Sequence, residues 1–311
     1  MASVDITISE RAHWKNGLER LAIPILLGIN GAALAGTLAM SKAAHADGVA
    51  PSSYGFWMTL GAGLALAGIT ASRSEVFISI STIRYSALSA LLSLAVPQLI
   101  LLIVAHKVGA GLASAVYAFP TITTWVIARL FGLEAHSAIR LFGVLVGAAG
   151  ALTLLAPGSV PSAHVPWLAL ALLVPFMLGA GNVYRSIAWP EGASPLLLAS
   201  GTALSASLFF LAVSLVTGQE LAFWTAGSAV VLVVAQMILS TVQFLAFFML
   251  QRIAKPVVFS LIGQVGLLFG LVLGAVFFGE HYSPITFIAV GLIVSGWALV
   301  SFGGLDRSRP A

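Results

Sequence analysis

Residues 254–280 read AKPVVFSLIGQVGLLFGLVLGAVFFGE, with no charged residue between Lys255 and Glu280. A stretch of that length with no interior charge matches the roughly 20 apolar residues that a helix needs to cross the hydrocarbon of a bilayer. What surrounds it is of the same kind. The chain of 311 residues is 59% hydrophobic and 8% charged, with a mean hydropathy of +1.06. Soluble domains carry about a quarter charged residues, so the composition excludes an ordinary soluble protein and leaves no room for a sizeable soluble domain.

Apolar runs bounded by Pro, Gly and charge clusters predict ten spans, near 20–41, 54–72, 85–105, 110–131, 138–156, 165–184, 195–217, 226–250, 256–278 and 284–303. Around 72–85, the residues Ser72 to Glu75 and Arg84 bracket a short apolar segment expected at the membrane interface. Lys and Arg sort sharply across this layout. One side carries Arg11, Lys15, Arg20, Arg73, Arg84, Arg129, Arg140, Arg185, Arg252, Lys255, Arg307 and Arg309, and the other only Lys42 and Lys107. Cytoplasmic loops retain positive charge, so both termini are expected in the cytoplasm, which agrees with an even number of spans. Trp57, Trp125, Trp167 and Trp224 fall near span ends, where aromatic rings sit among headgroups. Ala44-His45-Ala46 has the form of a signal-peptidase site, but the run from Leu21 to Met40 is longer than a signal h-region, so cleavage is not expected.

Several functions are excluded or left without residues to carry them. The chain has no cysteine, so it holds no disulfide, thiolate metal site or cysteine nucleophile. None of Lys15, Lys42, Lys107 and Lys255 stands in a phosphate-loop context, and the basic residues do not form the clustered face that nucleic acid requires. The six histidines are read as tail or loop residues, no metal-ligand spacing is visible, and no enzyme reading finds its nucleophile, base or metal set. No cofactor is expected.

The two halves repeat each other. Glu134 and Glu280 each close an apolar helix, in Phe131-Gly132-Leu133-Glu134 and Phe278-Gly279-Glu280, and Ser137 and Ser283 follow three positions later. At almost the same offset Gln98 matches Gln243, and His106-Lys107-Val108 matches Gln251-Arg252-Ile253. Five spans per half is an odd number, so the halves enter the membrane in opposite directions, an arrangement found in secondary transporters. The expected fold is therefore an all-α polytopic membrane protein of ten transmembrane helices in two inverted five-helix repeats. Its parts are an N-terminal tail (1–19), a first repeat (20–156), a second repeat (157–303) and a C-terminal tail (304–311).

This pattern, with an apolar helix ending in Gly-Glu and a Ser/Pro-headed helix rich in small residues after it, resembles the EamA branch of the drug/metabolite transporter superfamily. The resemblance is closest over Ala254 to Pro284 and on to Gly291-Leu292-Ile293-Val294-Ser295-Gly296, and looser over Gly109 to Glu134, where Leu133 stands in place of Gly279. It implies export of small metabolites or amino acids, with a central cavity between the repeats lined by spans one, three, four, six, eight and nine, and the short loops without a targeting segment fit a bacterial inner membrane.

Polar residues at helical spacing point to that cavity. Ser114, Tyr117, Thr121 and Thr124 share one face of the fourth span, and Gln236, Ser240 and Gln243 share one face of the eighth. Asn30, Thr37 and Ser41 lie on the first span, and Ser260 and Gln264 on the ninth. Such groups also bond helix to helix in any bundle. The expected substrate-binding set is Asn30, Gln98, Tyr117, Thr121, Thr124, Gln236, Ser240, Gln243, Ser260 and Gln264, although Gln98 stands off the Ser86, Ser89, Ser93 stripe of its span. Tyr117 offers a ring for an aromatic or cationic substrate. No ionisable group is placed near a span centre, which disfavours coupling through a buried carboxylate. The expected partners are a small-molecule substrate and membrane lipids, with a homodimer as an assembly to test and nucleic acid excluded.

Overall fold

The computed structural model describes residues 8–73, 79–133, 137–154, 161–224, 227–254 and 256–302, with side chains of the first helix from residue 22 onward. Glu134, Lys255, His136, Arg307 and Arg309, the pair Ser74 and Glu75, the join of the two halves at 156–157 and the tail 304–311 lie outside the described residues, as do the side chains of Arg11, Lys15 and Arg20.

The described residues are helical, without strands. In chain order the long elements are α1 (Ile8–Ala46), α2 (Pro51–Ser72), α3 (Ile80–Val108), α4 (Ala110–Leu130), α5 (Ala138–Leu154), α6 (Ser162–Ile187), α7 (Pro195–Thr217), α8 (Ala229–Ile253), α9 (Ile262–Phe278) and α10 (Pro284–Phe302). Seven of them contain a stretch long and apolar enough to cross a membrane: Ala22–Ala46 within α1, and α2, α3, α4, α6, α7 and α8. The apolar parts of α5, α9 and α10 are shorter, from 10 to 17 residues. The first helix departs from expectation at both ends. It begins at Ile8, inside the expected tail, and runs past residue 41 to Ala46, which puts Lys42 and His45 on the helix.

Local chemistry explains where helices start and bend. Ser79 opens α3 with a capping box, its hydroxyl accepting from the Thr82 amide at 3.2 Å while Thr82 Oγ1 accepts from the Ser79 amide at 2.9 Å. Ser194 caps α7 with Pro195 in its first turn. Pro97 has no amide to offer the preceding turn, and α3 passes through a π-helical turn at Leu91–Ala95 just before it. Pro120 acts similarly on α4, where Val116–Ala118 tightens into a 3₁₀ turn. The helical turn Pro256–Phe259 precedes α9 and is separated from it at Ser260 and Leu261.

The helix contacts have an internal regularity. α1 packs on α8 and α9, while α6 packs on α3 and α4; α2 packs on α8, and α7 on α3. The pairs α2 with α7, α4 with α9 and α5 with α10 also pack together. Shifting every helix by five places exchanges the first contacts among themselves and returns each of the last three pairs to itself. The close α5–α10 contact depends on glycines, since a methyl on Gly296 would overlap the backbone of Gly143 and Gly147.

Candidate functional site

Between the helices of both halves lies a cavity of about 900 Å³, measured to the surrounding atoms and including its mouth. Its polar lining comes from Thr37 of α1, Ser89, Ser93 and Gln98 of α3, Tyr117 of α4, Asn182 and Arg185 of α6, Thr202 of α7, Gln243 of α8, and Ser260 just before α9. Phe244, Phe247, Phe248 and Phe259 supply much of the apolar wall. The lining takes in α2, through Met58, and α7 in addition to the helices expected from the sequence.

Gln98 reaches this cavity because of the break in α3. In a regular helix a residue five places beyond Ser93 points well away from it, but a π turn brings residues five apart onto one face. Gln98 therefore joins Ser89 and Ser93 along the cavity wall, and its Oε1 accepts from Tyr117 Oη at 3.4 Å. The Gln98 Nε2 atom has no protein partner, and neither do the hydroxyls of Ser93 and Thr202. Buried polar groups are nearly always paired. Three such atoms on residues that line one cavity mark a surface made for polar solutes or water.

Arg185 corrects the expectation that it belongs to a cytoplasmic loop. It lies in the last turn of α6 with 1% of its surface exposed. Its Nη2 donates to Asn182 Oδ1 at 2.6 Å and its Nε to Gln251 Oε1 at 3.2 Å, while Nη1 has no protein partner. The guanidinium carbon stands 4.8 Å from the Phe247 ring centre and 5.5 Å from that of Phe259. The same side chain faces a second recess lined by Trp189 to Ser194 and by Gln251 and Arg252, so it stands between the central cavity and that end of the bundle. The sequence contained a signal for this, the i, i+3 pair Asn182 and Arg185 on one helical face.

Of the other residues predicted for the site, Tyr117, Gln243 and Ser260 line the cavity with Gln98. Of the remaining six, Thr121, Thr124, Gln236 and Gln264 bond to other helices, while Ser240 and Asn30 bond within their own. Thr121 accepts from Gln264 Nε2 at 3.1 Å and donates to the Ser260 carbonyl at 3.2 Å, joining α4 to α9 and the turn before it. Thr124 accepts from Asn182 Nδ2 at 3.0 Å. Gln236 accepts from Tyr54 Oη at 3.0 Å and donates to Thr37 at 2.9 Å and Ser240 at 2.8 Å, tying α8 to α1 and α2. Asn30 donates to the Leu26 carbonyl of its own helix at 2.8 Å. These stripes name the buried face of each helix, but the neighbour on that face is another helix.

The opposite end of the bundle is held by Glu280. Its carboxylate accepts from Lys42 Nζ at 2.6 Å, from the amides of Ala110 and Gly111 at 2.8 and 3.0 Å, and from Tyr282 Oη at 3.0 Å. It therefore caps α4, not the helix that follows it, and satisfies amides at the positive end of the α4 dipole. Gly109 approaches with φ of +102°, where a side chain would be strained and a methyl would stand 2.6 Å from Glu280 Oε1. Burial pushes the Glu280 carboxyl up, but the hydrogen bond and charge of Lys42 with the donors from Gly111 and Tyr282 outweigh it and hold the carboxyl below its ordinary value. Burial and the neighbouring Glu280 charge push the Tyr282 hydroxyl up. His45 and His106, expected in loops, stand on the last turns of α1 and α3 with ring centres 4.1 Å apart.

One hydrogen bond occurs twice. Ser41 Oγ and His106 Nε2 are 3.1 Å apart at this end, and Gln251 Nε2 donates to Ser186 Oγ at 3.2 Å at the other. Both members shift by 145 residues, the offset at which His106 matches Gln251 in the sequence.

No family model matches the chain. It is 28% identical over 249 residues to the uncharacterized inner membrane transporter YedA of Escherichia coli K12, covering 78% of this chain and 79% of the relative, and it matches YedA of strains CFT073 and O157:H7 to the same extent. One solved crystal structure aligns with a TM-score of 0.63 at 18% identity, over 91% of this chain and 98% of the other. At that identity the likeness concerns the fold alone.

Proposed function

We propose that the chain is a secondary transporter of the drug/metabolite class that exports a small metabolite or amino acid by alternating access, with aromatic amino acids among the candidates. The observation that carries this reading is the cavity between the two halves, where polar atoms of Ser93, Gln98 and Thr202 have no protein partner. A scaffold has no use for unpaired polar groups in its interior, whereas a carrier needs them for its passenger. Similarity to an inner-membrane transporter supports the reading. So do the contacts that exchange under a five-helix shift and the paired Ser41–His106 and Ser186–Gln251 bonds, as expected of two inverted repeats of the EamA kind. In this reading all ten helices cross the inner membrane, both termini are cytoplasmic, Lys42 and Glu280 close the outer end, and Arg185 faces the inner one. Partners are then the substrate and membrane lipids.

The test is flux in proteoliposomes loaded with amino acids, nucleosides, amines or organic acids. Saturable exchange of one class, abolished in Gln243→Leu without loss of folded protein, is the expected result. Absence of exchange for every class, in protein that is monodisperse and folded, would remove the transport reading.

A further inference from the structure

We infer that the passenger is an organic acid with an apolar or aromatic body, whose carboxylate is bound between Arg185 Nη1 and the Ser93 hydroxyl. The inference deepens the transport reading of this cavity and rests on it. A guanidinium keeps its proton at any physiological pH, and a buried charge is costly unless an opposite charge meets it. Arg185 is buried, yet among the described residues the one ion pair is Lys42 with Glu280, at the far end. The neutral carbonyls of Asn182 and Gln251 occupy Nη2 and Nε, and two rings face the cation, so the third nitrogen is held in a fixed direction with nothing to donate to.

A second unpartnered donor lies beside it. The Ser93 hydroxyl packs against Gly181, where a methyl would overlap Ser93 Oγ and stand 3.3 Å from Arg185 Nη1, so the two donors lie close together at the cavity wall. Two neighbouring donors without a protein partner match the two oxygens of a carboxylate, for which charge-assisted bonds are the strong ones. The phenylalanine walls leave an apolar body as the rest of the ligand. No Asp or Glu lines the cavity, so an ammonium group would meet Arg185 with no counter-charge. A passenger with no anionic group, such as the cation that Tyr117 alone would admit, therefore finds no counter-charge here, whereas the carboxylate of an amino acid still meets Arg185. The ties from Arg185 to Asn182 and Gln251 explain two of its nitrogens as structural, but do not account for the third or for Ser93.

The test is binding to the full-length purified protein by calorimetry, using phenylacetate, phenylacetamide and phenethylamine, which share a body and differ in charge. The acid should bind about ten- to hundredfold more tightly than the amide, and the amine not measurably. Arg185→Gln should erase the preference for acid, Arg185→Lys should restore part of it, and Gln251→Leu, which cuts the tie and leaves the cation, should keep it. If Arg185→Gln does not fold, Ser93→Ala decides, with acid binding weakened severalfold and amide binding unchanged. Equal binding of acid and amide, no binding of acid at millimolar concentration, a preference that survives Arg185→Gln, or acid binding untouched by Ser93→Ala would overturn the inference. Flux of the same three compounds separates it from the reading beneath it. Acid binding through Arg185 without flux leaves the site and removes transport; flux of amide or amine that ignores Arg185→Gln leaves transport and removes the site.

Discussion

Arg185 and Gln98 show how far a side chain's neighbours can depart from its place in the sequence. Arg185 stands two residues before the end of α6, where a count of charges assigns it to a loop, and only the packing of α8 and the turn before α9 reveals it as buried. Gln98 looks misplaced on a 3.6-residue wheel, because the wheel does not know that Pro97 forces a π turn ahead of it. For Thr121, Thr124, Gln236, Ser240 and Gln264 the spacing gives the buried face without saying what lies across it. Two glutamines of α8 should therefore separate by experiment. Gln236→Leu removes bonds to Tyr54, Thr37 and Ser240 and should cost roughly 2 kcal/mol at about 0.6 kcal/mol per bond, read as lower thermal stability with exchange retained. Gln243→Leu should behave in reverse, with stability kept and exchange lost. A stable Gln236→Leu protein without exchange would return that residue to the binding surface.

At the scale of elements, α4 and the α9 region are both interrupted and packed against each other, and the contact has no spare room. A methyl on Gly263 would overlap the Tyr117 carbonyl oxygen, so Gly263→Ala should destabilise the protein by about 1–3 kcal/mol, measured by thermal unfolding in detergent. A neutral result there would mean that the two broken segments are looser than described. The Gly-Glu ending of the ninth span was visible in the sequence, but its role was not, because Glu280 caps the start of α4, 170 residues away. Replacing it in Glu280→Gln should cost roughly 2–4 kcal/mol at neutral pH, since Lys42 loses its counter-charge and two amides lose a charged acceptor. The pH dependence has a definite sign. The folded carboxyl titrates below its ordinary value, so its contribution is complete above about pH 4.3, the unfolded carboxylate's value, and fades as pH falls through the folded value. The difference in melting temperature between wild type and Glu280→Gln should shrink on acidification below pH 4, and a difference independent of pH would show that the carboxylate charge is not what holds this end.

For the whole molecule, the ten apolar runs in the sequence fall on helices among the described residues, and seven of these helices carry a stretch long and apolar enough to cross a membrane, because hydropathy and length follow from the bilayer's thickness and need no knowledge of packing. Boundaries were less visible where a helix runs on past its apolar part, as α1 does to Ala46. Trp125, read as a headgroup anchor, is 4% exposed and belongs to the core, whereas Trp224 is exposed as that reading expects. Ser41 with His106 and Ser186 with Gln251 form like bonds 145 residues apart, while Arg185 has Met40 at the matching position, so the likeness does not extend to it. In the transport reading proposed above, one cavity is exposed to two sides in turn. The cysteine-free background makes the direct measurement clean: single cysteines at Gln98 and Gln243, labelled with a membrane-impermeant thiol reagent from each face of oriented vesicles, with and without phenylacetate. Both positions should react from one face at a time, and the acid should redistribute labelling between faces. Simultaneous reaction from both faces would make the cavity a channel, and protection of both positions from either face would contradict a substrate pathway altogether.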